Sequence, residues 1–289
     1  MRSKGIFISL VFSLVFSSLS LGQDSVQYYL NEGTKSYELE KYSSAERAFS
    51  EATRLDPSNY NAVKKLADSK HKQDKFEDAI LLYNNAENLN STDPELYFNR
   101  GAAYVFTQDF RLAIKDFNRS IEMRPDFPDV YYYRGYCLAE QARYKAAIAD
   151  YDKAILLKPD YPAAYYNRGA AKAELKSYEA GMTDFEKALD MKPDLVNGRI
   201  NIALSKLGMK KYEEAIVDLT KVIDMRDENL AKAYYYRGEA KYELDQKEDG
   251  CADWRRASNL GHEIATENVN SFCSDSKRRA KKRDIEIVF

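Results

Sequence analysis

Between residues 26 and 264 the chain repeats one order of small and large apolar positions. Gly33, Ala67, Gly101, Gly135, Gly169 and Ala203 lie 34 residues apart, and Gly238 follows after 35. A second small residue comes twelve positions later in every unit: Ala45, Ala79, Ala113, Ala147, Gly181, Ala215 and Gly250. Four further on stands a large side chain, Phe49, Tyr83, Phe117, Tyr151, Phe185, Leu219 or Trp254. Three beyond that comes Ala52, Ala86, Ser120, Ala154, Ala188, Val222 or Ala257. Offsets of three and four place these positions on one helix face. Pro57, Pro125, Pro159 and Pro193 close four units, because the residue before a proline avoids the α region. The pattern predicts two helices per unit, with small residues letting backbones approach and the large one filling the space beside them. A single unit cannot bury its apolar face, so stability requires stacking of neighbours.

In these columns the sequence resembles the tetratricopeptide repeat family. The resemblance implies an all-α, right-handed superhelical solenoid of about seven helix-turn-helix repeats: 26–59, 60–93, 94–127, 128–161, 162–195, 196–229 and 231–264. The family's first-helix Trp is Tyr here (Tyr29, Tyr97, Tyr131, Tyr165, Tyr234), and Arg199 replaces it in the sixth unit. Residues 265–289 are expected to hold a capping helix, beginning at Glu263, and a basic tail that runs from Lys277 to Arg283. The run Gly250 to Trp254, followed by Leu260 and Gly261, resembles last repeats in proteins of the Bacteroidetes group.

The first 22 residues are different material. Arg2 and Lys4 precede an apolar run, Ile6 to Phe16, and a small-residue stretch, Ser17 to Gly22. This is the layout of a secretory signal, so residues 1–22 are expected to be removed after about Gly22 and the protein to be periplasmic or secreted. An uncleaved N-terminal anchor is the alternative.

The composition changes the picture only by exclusion. Lys+Arg 44 against Asp+Glu 46 leaves no global bias toward nucleic acid or membrane. The two histidines, His71 and His262, fall on positions expected to be polar helix surface, without Cys or carboxylate partners at metal spacing. No glycine-rich phosphate loop and no Gly-x-Ser-x-Gly elbow occurs. No catalytic residue, metal or cofactor is therefore assigned, and the protein is expected not to be an enzyme. Cys251 takes a core column held elsewhere by Ile80, Ile114, Ile148 and Ile216, and Cys273 ends the capping helix. In a hairpin turning at Gly261 the two face each other. A disulfide, favoured by export, and two separate buried thiols are the alternatives. Cys137 is expected to be an inert buried thiol.

The resemblance further implies that positions two, five, nine and twelve of each first helix face a concave groove. The candidate partner-binding residues are Phe98, Asn99, Tyr132, Tyr133, Tyr166, Asn167, Asn201 and Tyr235. Aromatics supply contact area at low entropic cost, and Asn amides pair with peptide backbone. The family's carboxylate clamp is not matched: Lys64 and Asn99 fit it, but Asp68, Asp129 and Tyr133 occupy the remaining places. With Glu38, Glu140, Glu174 and Glu243 nearby, the expected partner is a neutral or basic protein segment, not nucleic acid. The basic tail could touch an acidic membrane surface; alternatively the hydrophobic end, Ile285 to Phe289, folds back onto the solenoid. The expected function is a non-catalytic scaffold in the cell envelope. A self-associating structural envelope protein and an anchored recruiter of enzymes are the alternatives, and the oligomeric state is left open.

Overall fold

The computed structural model describes residues 24–225, 229–273, 285 and 287–289. The proposed signal segment 1–22 and the basic stretch Lys277 to Arg283 lie outside the described residues. The chain divides into two compact units, Met1–Cys137 and Leu138–Phe289.

Fifteen helices and no strand occur among the described residues. The first unit holds α1 (24–38), α2 (Tyr42–Leu55), α3 (Tyr60–His71), α4 (Phe76–Leu89), α5 (Pro94–Phe106) and α6 (Phe110–Met123). Helix α7 (Pro128–Glu140) spans the division. The second unit holds α8 (Tyr144–Leu157), α9 (Pro162–Glu174), α10 (Tyr178–Met191), α11 (Val196–Gly208), α12 (Tyr212–Asp224), α13 (Leu230–Glu243), α14 (Lys247–Asn259) and α15 (Glu263–Phe272). Within each unit a helix packs on the next one along the chain, as α3 does on α4 and then α4 on α5, or α12 on α13 and α13 on α14.

The repeat columns become the core. Phe49, Tyr83, Phe117, Phe185, Leu219 and Trp254 are fully buried, as are the alanines flanking them. The first small column is small for a steric reason. A Cβ on Gly101 would stand 2.7 Å from the Phe117 ring, and one on Gly169 would stand 2.9 Å from the Gly181 carbonyl. The prolines act as expected: Asp56, Arg124, Lys158 and Lys192, each just before one, leave their helices with φ between −139° and −137°.

The turn inside each helix pair uses a device that the apolar columns do not announce. Glu40, Asp74, Gln108, Ala142, Lys176, Lys210 and Asp245 all have φ between 56° and 61°. Each closes its first helix in a Schellman motif, as where Asp109 N–H donates to Tyr104 O (2.8 Å) and Gln108 N–H to Val105 O (3.0 Å). None of the seven is glycine, although the left-handed region favours it.

A buried ion pair ties the two helices of several repeats together. Arg100 binds Asp116 in a two-point fork (2.7 and 2.9 Å), Arg168 binds Asp184 and Arg237 binds Asp253 in the same way. Each arginine directly precedes the column glycine, and each aspartate directly precedes the large buried side chain.

At the far end, α15 packs on α14 across a turn at Gly261, whose φ is +89°. The Cys251 and Cys273 sulfurs are bonded, with Cα atoms 5.6 Å apart. Of the two alternatives open in the sequence, the structure holds the disulfide. Cys137 is fully buried.

Candidate functional site

The first helices of the first unit carry a polar patch and an aromatic patch. In the polar patch, Asp68 Oδ1 accepts from Tyr83 Oη (2.7 Å) and from Asn99 Nδ2 (2.9 Å). Burial pushes the Asp68 carboxyl up, against these two hydrogen bonds and the nearby Lys64 charge. Lys64 in turn pairs with Asp93 (3.1 Å) and Glu95 (3.4 Å). Asn99 is thus committed to a carboxylate of its own chain, and Lys64 is neutralised by two, which disfavours an acidic ligand here. In the aromatic patch, Phe98 packs edge-on against Phe127 (4.7 Å) and Tyr133 (5.7 Å), and Tyr132 packs edge-on against Tyr133 (5.2 Å). Phe98, Tyr132 and Tyr133 are all half-buried. Burial raises the Tyr133 hydroxyl pKa, and Asp129 adds to this.

The second unit treats the same repeat positions differently. Tyr166 and Asn167 are half-buried. Asn201, however, is 1% exposed and donates to the Tyr166 hydroxyl (2.9 Å), so it positions Tyr166 and presents nothing to solvent itself. Tyr235 is 4% exposed and stacks flat on the His262 ring, with centroids 4.3 Å apart. His262 does not lie on an open polar surface. Its Nδ1 accepts the Ala265 N–H as the N-cap of α15, and burial, with the Lys232 charge, lowers its pKa. His71 is likewise half-buried, edge-on to Phe76 and Phe106.

What covers the α13 face is the chain's own segment. Lys232 Nζ donates to the Val288 carbonyl (3.0 Å), and the Val288 N–H donates to the Tyr236 hydroxyl (3.2 Å). Ile287 and Phe289 pack on the apolar core of the second unit. A crevice of 440 Å³ remains beside them, lined by Lys232, Tyr235, Leu260, His262, Ile264 and others. The hydrophobic run at the end of the sequence offered a hint of this contact, but no sequence rule names the face it would reach. No group of acidic, His or Cys side chains able to hold a metal occurs among the described residues.

Tetratricopeptide repeat family models match residues 98–162 and 162–195, and a third TPR repeat model matches 67–105. Among solved structures the chain is similar to a tetratricopeptide repeat protein from Parabacteroides merdae, at 21% identity and a TM-score of 0.62, over 86% of this chain and 98% of that one. It is similar to MamA at 25% identity and a TM-score of 0.55, over 59% and 93% of the two chains. YrrB, described as a TPR protein with an unusual peptide-binding site, matches at 18% identity and a TM-score of 0.55, over 63% and 94%. No curated protein matches. The fold is an all-α tetratricopeptide solenoid.

Proposed function

Because the chain is a tetratricopeptide repeat protein, we propose that it is a non-catalytic scaffold whose first helices hold a neutral or basic segment of a partner protein. One observation carries this reading. Phe98, Tyr132, Tyr133 and Tyr166 stay half-buried on first helices, whereas the large side chains of the second-helix column are fully enclosed. Partly exposed aromatic side chains beside polar groups suit a polypeptide ligand. The internal pairing of Lys64 and Asn99 argues against a carboxylate ligand at that point. YrrB, a fold relative, is described as having a peptide-binding site, which is consistent with this reading.

The cell envelope is the proposed location. The signal-like residues 1–22 support it, and so does the Cys251–Cys273 bond, since disulfides persist in oxidising compartments. Crosslinking in cells, followed by capture of the wild-type chain and of a Tyr132→Ala/Tyr166→Ala chain, tests the binding face. The expected result is a partner that the double variant loses; retention of every partner defeats the assignment. Mass measurement of the exported chain should find Gln23 at its start.

A further inference from the structure

We infer that the α13 face is a docking site for an extended peptide with an apolar residue, any residue and then an aromatic one, and that residues 287–289 occupy it as a built-in competitor. This deepens the scaffold reading and rests on it. The main chain of Val288 is held from both sides, its N–H by Tyr236 and its carbonyl by Lys232. Neither contact depends on which side chain sits at that position, so the pair would grip any extended backbone except one with proline there.

Selectivity comes from the neighbours. Ile287 and Phe289 are half-buried against the core cluster, while Val288 points outward and is 55% exposed. This in-out-in alternation is what an extended chain presents to a flat face. Phe289 reaches Tyr178, with ring centroids 6.1 Å apart, and Tyr178 itself lies against Gly208 at the end of α11. The seat for the aromatic residue therefore includes Tyr178 of α10, which α11 backs at Gly208. The crevice lined by Tyr235, Leu260 and His262 lies next to Val288.

The probe is a fluorescein-labelled peptide of residues 283–289, with binding read by fluorescence anisotropy on full chains. In an Ile287→Ser/Phe289→Ser chain the internal segment loses both anchors, and the peptide should bind at least tenfold more tightly than to wild type. Val288→Pro removes the N–H given to Tyr236 and fixes the local φ, while both core side chains are kept. It should also increase peptide affinity, and its unchanged circular dichroism melting curve would guard against unfolding as the cause. Adding Lys232→Met to the double variant should reverse most of the gain. Equal peptide affinity in wild type and both released chains, or no binding to either released chain, overturns the inference. If that happens while Tyr132→Ala/Tyr166→Ala still loses its partner in cells, the scaffold reading survives alone. If the peptide binds as expected but no partner is ever captured, it is the scaffold reading that fails.

Discussion

The α5–α6 and α13–α14 hairpins are built on the same frame, yet their buried ion groups have opposite charge ratios. In α5–α6 one cation serves two anions: Arg100 forks onto Asp116 and also reaches Glu87. In α13–α14 one anion serves three cations: Asp253 takes Arg237, Lys241 and Arg256. The fork itself is the same in both, sixteen residues apart and behind a glycine that faces the next large ring. The frame therefore fixes the crossing of two helices and leaves the surrounding charges free to vary. Breaking the frame should cost differently in the two hairpins, according to what is left stranded.

The largest expected effect follows directly. Asp253→Ala would leave Arg237 and Lys241 facing each other around a vacated site, with the 58% exposed Arg256 able to turn to water, and should destabilise α13–α14 by about 3–5 kcal/mol. Asp116→Ala leaves Arg100 with Glu87 and with Asn84 (2.8 Å), so the loss in α5–α6 should be nearer 1–3 kcal/mol. Hydrogen exchange measured separately on the two hairpins reads both losses. Equal losses would mean that the neighbouring charges do not matter and the fork alone sets the cost.

The second difference is covalent. Only the α14 side of this comparison is tied to a further helix by a disulfide, closing a loop with a sequence separation of 22 residues. Replacing Cys251 and Cys273 with Ser should cost about 3 kcal/mol through the freedom returned to the unfolded chain. The loss should fall on α14 and α15, and exchange protection in α5–α6 should not change. Loss of protection in α5–α6 as well would show that the end of the chain stabilises repeats outside its own unit.

Much of the frame was legible in the sequence because it rests on steric columns. Gly101 opposite Phe117 and Gly238 opposite Trp254 are spacing facts, and spacing survives projection onto a line of letters. The ion pairs also leave a signal in the sequence: Arg100, Arg168 and Arg237 recur at the repeat period, as do Asp116, Asp184 and Asp253. Site residues were harder to read. Position five is Phe98 in one repeat and Tyr235 in another, and nothing local to Tyr235 says that His262 will stack on it or that residues 287–289 will lie across its helix. Asn201 looked like its counterparts Asn99 and Asn167, yet its burial comes from neighbours distant in sequence. Such positions are decided by long-range packing, which periodicity does not encode.

Acid should separate the hairpins in a smaller but more diagnostic way. For Asp253, burial alone would raise the pKa, but the hydrogen bonds from Arg237 and Lys241 outweigh it and hold the carboxyl below the ordinary value of 3.8. A carboxylate depressed in the folded state contributes stability above its unfolded pKa, and that stability is lost as pH falls through the folded value. Burial pushes Asp116 the other way, so its ionised form contributes no comparable acid-labile stability, but the hydrogen bond from Arg100 holds the Glu87 carboxyl below its ordinary value. Lowering the pH below 3.8 should therefore loosen α13–α14 through Asp253, whereas in α5–α6 the acid-labile contact is the one from Arg100 to Glu87. An Asp253→Asn chain whose α13–α14 exchange protection falls with acid as steeply as that of wild type would show that Asp253 is not the responsible group.

The smallest effect tests where the two hairpins should agree. Gln108 turns α5 into α6 at φ 61°, and Asp245 turns α13 into α14 at φ 60°. Both are non-glycine residues in the left-handed region, which costs an L-residue roughly 1–2 kcal/mol. Glycine removes that strain but adds freedom to the unfolded chain, an opposing term of roughly 0.5–1 kcal/mol. Gln108→Gly and Asp245→Gly should each stabilise by about 0.5–1 kcal/mol in denaturant melts. Asp245 also pairs with Lys247 at 2.7 Å, but its side chain is 84% exposed, and an ion pair so open to water adds little. Both should be gains, the smaller at Asp245 because aspartate tolerates the left-handed region better than glutamine, since the turn belongs to the shared frame and not to the charges around it. A gain at Gln108 with a loss at Asp245 would make that surface pair part of the turn, and the second hairpin would then differ from the first in its frame as well as in its charges.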